Sequence, residues 1–587
     1  MTTRTKIICT IGPAVNTLEK MVQLMESGMN VARLNFSHGT LEEHAEVIKN
    51  LKEARRRLGQ PLAIMLDTKG PEIRLGKVSE GEITLIAGQL WLLVRENIEG
   101  DESRISIKPG AVLDCVVEGT RILFDDGYII SKVIKISPEG VLVEIENSGR
   151  IKTGKGVNIP NVILNLPAVT EKDIEDICFG CDHNVDVIAA SFIRSAEHVL
   201  QIKRLLQEKK RGDIQVIAKI ENSEGVANFD SILQVADGIM IARGDLGCEV
   251  PLSQVPSLQK MMIRKSYLVG KVSITATQML ESMINNPRPT RAEASDVANA
   301  IYDSTSAVML SGETAIGKYP MDVVNMMCSI VREAEKDFDY HAFFMQHSSL
   351  VYHDVPSALT LAAVKTAYSS HAQAIFAFTN GGGTARLISR LRPRMPIIAM
   401  TPNEKCYHQM ALNWGVIPYL STHTETIDEA FGKISAFALG HHLASYGDLV
   451  VVTAGSPFGI SGTTNMMIVE SIGDVLVRAY IGYGPRVHGK VVLVLSAQSR
   501  AHYSVKDQIL VLTQCDESYL PLIKEAAGIV LQNHINDSAS EQYVMDIAKA
   551  LDKPAVIRGD AACRILKEGQ LVTLDPEKAL VYKGVVF

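Results

Sequence analysis

Eight short apolar segments recur along the chain, and amphipathic segments such as Thr17–Ser27 and Leu41–Gly59 lie between them. The eight segments are Lys6–Gly12, Val31–His38, Ala63–Gly70, Asp186–Ile193, Gln215–Glu221, Gly238–Asp245, Val272–Gln278 and Ala307–Glu313. Strands that alternate with helices are typical of parallel βα units, and strands that are apolar along their whole length are buried on both faces. Because eight is the number of strands in a closed (β/α)8 TIM barrel, the sequence predicts an α/β fold built on this barrel.

A stretch of different character separates the third and fourth predicted strands. Pro71–Pro167 is rich in Gly, Val and Ile, and it carries turn signals such as Pro109-Gly110 and Asp126-Gly127. These features predict a small, antiparallel, inserted β-barrel domain at residues 71–168, between barrel parts at 1–70 and 169–345. Insertions at the carboxyl ends of barrel strands often act as lids, because the active site lies on that face.

Two further units follow the predicted barrel. Strand-like segments at Ala374–Thr379, Pro396–Thr401 and Asp448–Gly455 alternate with helical segments and predict a C-terminal α/β domain at 346–475. The Gly- and Pro-containing segment Ile481–Gly489 is typical of a linker. It predicts an additional small α/β domain at 487–587.

Charge and composition exclude several classes of protein. The chain has 59 basic and 66 acidic residues, for a net charge of −7, which argues against a polybasic nucleic-acid or anionic-membrane binder. No apolar run approaches the roughly 18 residues of a spanning helix, and Met1–Gly12 lacks a signal-peptide core. The nine cysteines are sparse, as in a reducing compartment. We therefore expect a cytoplasmic protein with no nucleic-acid or membrane partner.

Polar and ionic side chains end most of the predicted barrel strands. On the second strand, Arg33, Asn35 and Ser37 alternate and therefore share one face. On the fifth strand, Lys219 and Glu221 share a face in the same way. The other polar residues at this edge are Asp67, Thr68, Gly244, Asp245 and Thr277. Since buried charges are costly unless paired or bound to a ligand, their concentration at one edge predicts an active site.

The residue types at this edge indicate the chemistry. Glu221 and Asp245 are carboxylates without His or Cys nearby, which favours Mg²⁺ or Mn²⁺ over zinc. Arg33 and Lys219 are cations suited to holding a phosphoryl group. The oxygens of Asn35, Ser37, Asp67 and Thr68 suit a monovalent cation. Residue types alone therefore predict metal-dependent chemistry on a phosphorylated, anionic substrate and leave the substrate open.

Seven segments closely resemble those of the pyruvate kinase family. They are Met29–Gly39 (MNVARLNFSHG), Leu66–Arg74 (LDTKGPEIR), Ala218–Asn222 (AKIEN), Ala242–Gly247 (ARGDLG), Thr275–Met283 (TATQMLESM), Arg288–Ala300 (RPTRAEASDVANA) and Met309–Ala315 (MLSGETA). The resemblance covers about residues 1–475 with the family's order and spacing. It implies a barrel with an inserted β-lid and a C-terminal effector domain, usually in a homotetramer.

The resemblance also implies the reaction and the role of each matching residue. The family transfers the phosphoryl group of phosphoenolpyruvate to ADP in the last step of glycolysis. By resemblance, Arg33 and Lys219 hold the phosphoryl group, and Lys219 stabilises the transition state. Glu221 and Asp245 bind Mg²⁺ (or Mn²⁺), while Gly244, Asp245 and Thr277 hold the substrate carboxylate, and Thr277 lies near the protonated carbon.

The remaining matches concern K⁺, the nucleotide and an effector. Glu72 matches the position whose acidic form accompanies K⁺ dependence. The matching K⁺ ligands are Asn35, Ser37, Asp67 and Thr68. The matching nucleotide (ADP/ATP) contacts are Asn35, Phe36, Ser37, His38, Arg74 and Lys155.

The loop of Thr379, Asn380, Gly381, Gly382, Gly383 and Thr384 precedes a helix. Its glycines and hydroxyls suit a phosphate, although a simple helix cap explains them nearly as well. This loop and Gly455–Asn465 resemble the family's effector site. Gly455–Asn465 lacks the Trp and Arg of fructose-bisphosphate-activated relatives, which favours a sugar monophosphate or AMP as effector.

The last unit resembles the swiveling domain of phosphoenolpyruvate-utilising enzymes. Their phosphorylated histidine precedes a Pro-Ala-Val-like strand by about eleven positions. In this sequence, the residue eleven positions before Pro554 is Tyr543. We therefore expect a structural or regulatory tail rather than a phosphate carrier. Two other functions stay open from the sequence: a metal-dependent, enolate-forming barrel lyase and a non-catalytic effector-binding protein.

Overall fold

A computed structural model describes residues 3–79, 81–348, 354–424, 426–455, 462–494, 496 and 504–586. The chain divides into two compact units. The first contains residues 1–364, 377–423 and 454–465, and the second contains residues 365–376, 424–453 and 466–587. In the described part of the chain, no helix combines the length and the apolar character that crossing a bilayer requires.

Eight parallel strands of the first unit close into a barrel, as the sequence predicts. The strands are Lys6–Thr10, Val31–Asn35, Ala63–Asp67, Val187–Ala190, Gln215–Ile220, Gly238–Ala242, Val272–Ala276 and Ala307–Leu310. They follow one another around the barrel in chain order, and Lys6 pairs with Ala307 where the first strand meets the eighth. The third and fourth strands are direct neighbours, with Val187 opposite Met65.

Helices surround the barrel. They are Leu18–Ser27, Leu41–Leu58, Glu171–Asp182, Ala196–Glu208, Ser223–Ala227, Phe229–Val235, Arg243–Glu249, Val255–Leu268, Arg291–Tyr302, Gly312–Ala315, Pro320–Asp337 and Tyr340–Ser348. Three of them begin with a capping box, in which Thr40, Thr170 or Thr290 exchanges hydrogen bonds with the acidic residue three positions later. The sequence therefore fixes where these helices start.

Two apolar layers result from the alternation of side chains along each strand. Outward-facing residues such as Ile7, Leu34 and Ile64 pack against the helices. Inward-facing residues such as Ile8 and Met65 fill the barrel interior. The interior is therefore a packed core rather than a channel, and polar groups are left to the strand ends.

The inserted segment forms a separate β-domain within the first unit. Its strands are Arg74–Leu75, Glu82–Leu85, Leu90–Val94, Arg104–Lys108, Arg121–Phe124, Ile129–Ser137, Gly140–Ile145, Gly149–Lys152 and Val157–Asn158. Most pairs are antiparallel, as predicted, although Leu90–Val94 and Arg104–Lys108 run parallel. Trp91 is fully buried in the core of this domain and packs edge-on against Phe124. We call this β-domain the lid.

Arg194 holds the segment through which the chain returns from the lid to the barrel. Its guanidinium donates hydrogen bonds to the carbonyl oxygens of Leu164 (3.1 Å), Leu166 (2.7 Å) and Pro167 (3.0 Å). Arg194 itself is only 8% exposed, and burial lowers its pKa. One buried cation therefore fixes three carbonyl groups of this return segment, which we call the lid hinge.

The first unit also contains a part of the α/β region that lies C-terminal to the barrel. Parallel strands Ile397–Thr401 and Val416–Leu420 pair there. They accompany helices Gly383–Ser389 and Glu404–Gln409 and the 3-10 turn Met410–Leu412. Gln409 donates hydrogen bonds to the carbonyl oxygens of Asp186 (3.0 Å) and Asp213 (2.7 Å), so this region is attached to the amino ends of the barrel strands.

The second unit contains helix Ile427–Gly440 and an eight-stranded mixed sheet. The strands of this sheet are Val475–Arg478, Ile481–Tyr483, Val487–Val494, Ile509–Leu512, Gly528–Leu531, Ala555–Ile557, Leu571–Asp575 and Leu580–Lys583. Its helices are Leu520–Glu525, Ser538–Leu551 and Ala562–Ile565. Strand Thr464–Ser471, helix Val355–Ser369 and strands Ala374–Phe378 and Leu449–Gly455 have residues in both units.

The prediction of a linker at Ile481–Gly489 is wrong. Ile481–Tyr483 pairs with Ala555–Ile557, and Val487 begins the longest strand of the sheet. A Cβ atom on Gly482 would lie 2.4 Å from the carbonyl oxygen of Pro576. The glycine therefore permits a close approach of two backbones and does not mark a flexible connection.

We expect Arg194→Ala to loosen the lid hinge. Losing hydrogen bonds from a buried cation costs about 2 kcal/mol, which corresponds to roughly thirtyfold faster exchange of the amide protons of Ile163–Ala168. Hydrogen exchange followed by mass spectrometry measures this change. Arg204→Ala removes an exposed arginine that pairs with Glu197 and should leave the hinge unchanged. Equal exchange in both variants would contradict the role of Arg194.

Candidate active site

Lys219 lies at the centre of a buried polar network at the carboxyl ends of the barrel strands. Its Nζ is 2.9 Å from Asp67 Oδ1, 3.1 Å from Glu221 Oε1 and 2.7 Å from Ser191 Oγ. Burial alone lowers the pKa of Lys219, but the carboxylates of Asp67 and Glu221 outweigh it and raise the pKa above its usual value. Lys219 therefore stays positively charged at the base of the rim.

Asp67 is the counter-ion of two cations. Arg33 Nε is 2.6 Å from Asp67 Oδ2, and Arg33 Nη1 donates to Thr10 Oγ1 at 2.9 Å. Burial raises the pKa of Asp67, but Arg33 and Lys219 together lower it below the usual value. Arg33, Lys219 and Asp67 thus form one ionised cluster, as expected of a site that holds a phosphoryl group.

Glu221 and Asp245 bring two carboxyl groups into the same region. Burial raises the pKa of Glu221, Lys219 opposes this effect and the nearby Asp245 adds to it, so that the pKa lies at about 7. Burial also raises the pKa of Asp245. A divalent cation would offset the cost of ionising two buried, neighbouring carboxyl groups.

Glu221 and Asp245 suit a hard divalent ion that is held only partly by the protein. They do not form a site in which side chains supply every ligand. Across the described residues, no group of three or more His, Cys, Asp or Glu side chains is arranged to hold a metal. Glu221 and Asp245 would supply two oxygen ligands. Mg²⁺ commonly takes one or two carboxylates and completes its shell with water and substrate oxygens.

Thr277 has a strained backbone at the end of the seventh strand. Its φ of +68° lies in the left-handed region, which a β-branched residue rarely adopts. Thr277 Oγ1 donates to the carbonyl oxygen of Ala276 at 2.6 Å and accepts the Gly244 N–H at 2.9 Å. Arg243, which is anchored on Asp296 at 2.7 Å, donates to the Thr277 carbonyl oxygen at 2.9 Å. These contacts join Gly244 and Thr277 at one position on the rim.

Among the four residues from Asn35 to His38, only Phe36 is buried. Asn35 Oδ1 accepts the Ser37 N–H at 3.2 Å, and His38 is exposed. Phe36 is only 5% exposed and stacks on His44 in the barrel's outer core. Only the main chain of Phe36 could therefore face a nucleotide.

Arg74 and Lys155 meet in a cavity of about 270 Å³ between the lid and the barrel rim. Arg74 Nε is 2.6 Å from Glu72 Oε2, and Lys155 Nζ is 2.7 Å from Asp125 Oδ1. Asp245 lines the same cavity, whereas Arg33 and Lys219 do not. The predicted nucleotide residues of the lid thus share a cavity with Asp245, one of the two predicted metal ligands.

Several residues of the site escape sequence analysis. Ser191 accepts a hydrogen bond from Lys219 and donates one to the Thr68 carbonyl oxygen at 2.6 Å. Ser191 follows the fourth strand as the first polar residue, which is the signal that could have identified it. On the lid face, Asp126 raises the pKa of Asp245 through its charge. Asp126 stands out in the sequence only as part of a turn.

The loop predicted for the effector starts helix Gly383–Ser389. Gly382 has a φ of +76°, a conformation that favours glycine. Thr384 Oγ1 lies 2.6 Å from Thr464 Oγ1, and Thr384 is buried. Most of the second predicted loop, residues 456–461, lies outside the described residues. The predicted binding of an effector by Thr379–Thr384 stays a prediction.

Tyr543 and His534 bear on the expectation that the last unit is not a phosphate carrier. Tyr543 lies inside helix Ser538–Leu551, and exposed His534 precedes that helix and accepts the Asn536 N–H at its Nδ1. No histidine stands at the position the spacing identifies.

Comparisons with known proteins agree with this geometry. A family model described as pyruvate kinase, barrel domain, matches residues 2–324, and one described as pyruvate kinase, alpha/beta domain, matches residues 357–470. A third, described as PEP-utilising enzyme, mobile domain, matches residues 505–579.

Similar proteins cover the whole chain. A pyruvate kinase of Geobacillus stearothermophilus is 43% identical over 100% of this chain and 99% of its own length. A pyruvate kinase of Bacillus licheniformis is 42% identical over 99% of each chain. The crystal structure of a pyruvate kinase from Cryptosporidium parvum is 38% identical, with a TM-score of 0.77, and the match covers 80% of this chain and 96% of that one. The chain therefore belongs to the pyruvate kinase family and is a phosphotransferase.

Proposed function

We propose that the protein transfers the phosphoryl group of phosphoenolpyruvate to ADP, which yields pyruvate and ATP in the last step of glycolysis. The observation that carries this proposal is the buried cluster of Arg33, Asp67, Lys219 and Glu221 at the carboxyl ends of the barrel strands. The family membership supports the same reaction.

Arg33 and Lys219 would hold the phosphoryl group as it moves in line toward ADP. Both cations are held in place by Asp67, so they need little reorganisation when charge develops on the phosphoryl oxygens. Glu221 and Asp245 would hold Mg²⁺ or Mn²⁺, which neutralises negative charge between the reacting groups.

Gly244, Asp245 and Thr277 would hold the carboxylate of the substrate. The enolate left after transfer must take a proton at carbon to become pyruvate. The hydroxyl of Thr277 lies at the strained strand end, where hydrogen bonds to Ala276 and Gly244 orient it. Thr277 is therefore the residue we place nearest to that proton transfer.

The nucleotide would lie between the rim and the lid. Arg74 and Lys155 would contact its phosphates, together with Asn35, Ser37, His38 and the main chain of Phe36. K⁺ would be held by Asn35, Ser37, Asp67 and Thr68, and its charge would offset that of the substrate phosphate.

Regulation, assembly and location belong to the proposal as well. A phosphorylated effector, either a sugar monophosphate or AMP, would bind at Thr379–Thr384. The chain would form a homotetramer in the cytoplasm. Its proposed domains are the barrel at 1–70 and 169–345, the lid at 71–168, the effector domain at 346–475 and the tail at 487–587. The sheet of the tail also includes strands Val475–Arg478 and Ile481–Tyr483.

The requirement for ADP tests the reaction directly. We expect pyruvate to form from phosphoenolpyruvate only when ADP is present, because the phosphoryl group needs an acceptor. A coupled assay for pyruvate with and without ADP measures this. Pyruvate formation without ADP would indicate a lyase, and no formation in either case would indicate a non-catalytic protein.

Lys219→Met should remove the charge that faces the developing negative oxygens. Loss of one such group typically lowers kcat by about 100-fold or more, and we expect that loss in ATP formation. Exchange of the carbon-3 protons of pyruvate should survive better, because Thr277 is placed in that step. Lys265→Met, which removes a half-exposed lysine paired with Asp230, is the matched control. A decrease below about tenfold in a folded Lys219→Met protein would overturn the assignment.

Glu72→Lys should make the enzyme independent of K⁺. The ammonium group would supply the positive charge that a bound cation supplies in the parent protein. Activity in a tetramethylammonium buffer free of sodium and potassium should therefore appear in the variant and be low in the parent. Because Glu72 is paired with Arg74 at 2.6 Å, Arg74→Lys shows separately the effect of disturbing that pair. A parent protein indifferent to K⁺ would contradict the proposal.

A further inference from the structure

A second cavity, of about 550 Å³, lies at the amino ends of the barrel strands. Its walls come from the end of helix Leu41–Leu58, from the residues that precede the third and fourth barrel strands, and from helix Glu404–Gln409 with strand Val416–Leu420. All of these residues belong to the first unit. We call this space the amino-end cavity. Its volume falls within the roughly 300–1,000 Å³ of small-molecule sites.

The lining of the amino-end cavity is mainly basic. Four cationic side chains line it, and two carboxylates oppose them. The cations are Lys52, Arg55, Arg56 and Lys405, and the carboxylates are Asp186 and Glu404. His408 also lines the cavity, but burial lowers its pKa to about 3, so its ring is neutral at physiological pH. Arg56 is paired with Glu53 at 2.8 Å outside the cavity, so Lys52, Arg55 and Lys405 face Asp186 and Glu404. The cavity therefore carries an excess of one positive charge.

The carboxylate of Asp186 cannot balance these cations alone. Its side chain is 1% exposed, and it is shared between Arg55 Nη1 at 3.0 Å and Lys405 Nζ at 3.4 Å. Lys52 Nζ donates to the carbonyl oxygen of His183 at 2.7 Å. Among the residues that the structure describes, Lys52 has no carboxylate within 4.0 Å. The direct contact of Lys52 is thus with a neutral oxygen, and the charges of Asp186 and Glu404 act on it only from a longer distance.

Burial makes the cations of this cavity costly to hold in their charged form. Burial lowers the pKa of Lys52, and the charge of Arg55 lowers it further. Burial likewise lowers the pKa of Lys405, and the charge of Arg211 adds to the effect. A bound anion would stabilise the charged form of both lysines, because it would offset the repulsion from the neighbouring arginines.

Stabilisation of a helix end explains only part of this arrangement. Arg55, Arg56 and Arg57 lie in the last turn of helix Leu41–Leu58, where cations interact favourably with the helix dipole. Lys405 comes from a different helix, and Lys52 precedes the last turn. The helix dipole therefore does not explain why Lys52 and Lys405 line the same cavity.

We propose that the amino-end cavity binds a small phosphate monoester. Lys52, Arg56 and Lys405 would donate to the phosphate oxygens, and the rings of Tyr407 and Tyr419 would border the organic part of the ligand. None of Thr379–Thr384 lines the cavity, so the site is separate from the predicted effector loop. Such a ligand would join helix Leu41–Leu58 to helix Glu404–Gln409. The proposal does not depend on the reaction assigned to the active site.

Labelling of the full chain with pyridoxal 5′-phosphate, which carries both a phosphate and an aldehyde, tests this site. The aldehyde condenses with an unprotonated lysine amine and releases water, and borohydride then reduces the imine to a stable secondary amine. Peptide mapping reports the label at each lysine separately. We expect rapid labelling of Lys52 and Lys405, with protection by inorganic phosphate and none by chloride at equal ionic strength.

Lys52→Gln gives the discriminating measurement. The phosphate concentration that half-protects Lys405 should rise about tenfold, as expected from the loss of one charged hydrogen bond. Lys49→Gln is the matched control, because Lys49 lies on the same helix, pairs with Glu46 and does not line the cavity. If Lys52→Gln does not fold, Arg56→Gln serves in its place. Equal protection by chloride and phosphate, or a rise below about threefold, would overturn the proposal.

Discussion

The arrangement of the active-site rim depends on the ion pairs that the Asp67 carboxylate makes with Arg33 and Lys219. Arg33 and Lys219 are both buried, and each would be costly to hold there without a counter-ion. Asp67 contacts both cations, and Glu221 adds a second carboxylate beside Lys219. The barrel keeps this cluster at the strand ends because its interior is filled by apolar side chains. The cations are therefore held in position before a substrate arrives, which is the condition for electrostatic catalysis.

Much of the fold could be predicted from sequence because it follows from strong local patterns. Apolar segments repeated eight times predict the barrel, and the change of pattern after Pro71 predicts the lid. The linker at Ile481–Gly489 was predicted wrongly, because glycine and proline also occur where strands approach closely. Gly482 lies against the backbone of Pro576, a contact between segments far apart in the chain that no local pattern records.

The candidate site was predictable where chemistry concentrates on one strand face. The alternation of Arg33, Asn35 and Ser37 places them together, and the same alternation turns Phe36 toward the helix layer, where the structure buries it. Ser191 and Arg243 act through partners on other strands and helices. Their roles depend on contacts between different elements, such as the hydrogen bond of 2.9 Å from Arg243 to the Thr277 carbonyl oxygen. Such contacts cannot be inferred from the spacing of residues in the sequence.

The direct pairing of the third and fourth barrel strands has a consequence for folding. Val187 pairs with Met65, although the whole inserted domain lies between them in the sequence. Lys6, in the first strand, pairs with Ala307, in the last strand of the barrel. Contacts so distant in sequence carry a large loop-closure entropy and slow folding. If the lid folds first, it shortens the effective loop between the third and fourth strands. During synthesis, the outer edges of the first three strands stay unpaired until their partners leave the ribosome, and unpaired strand edges favour aggregation.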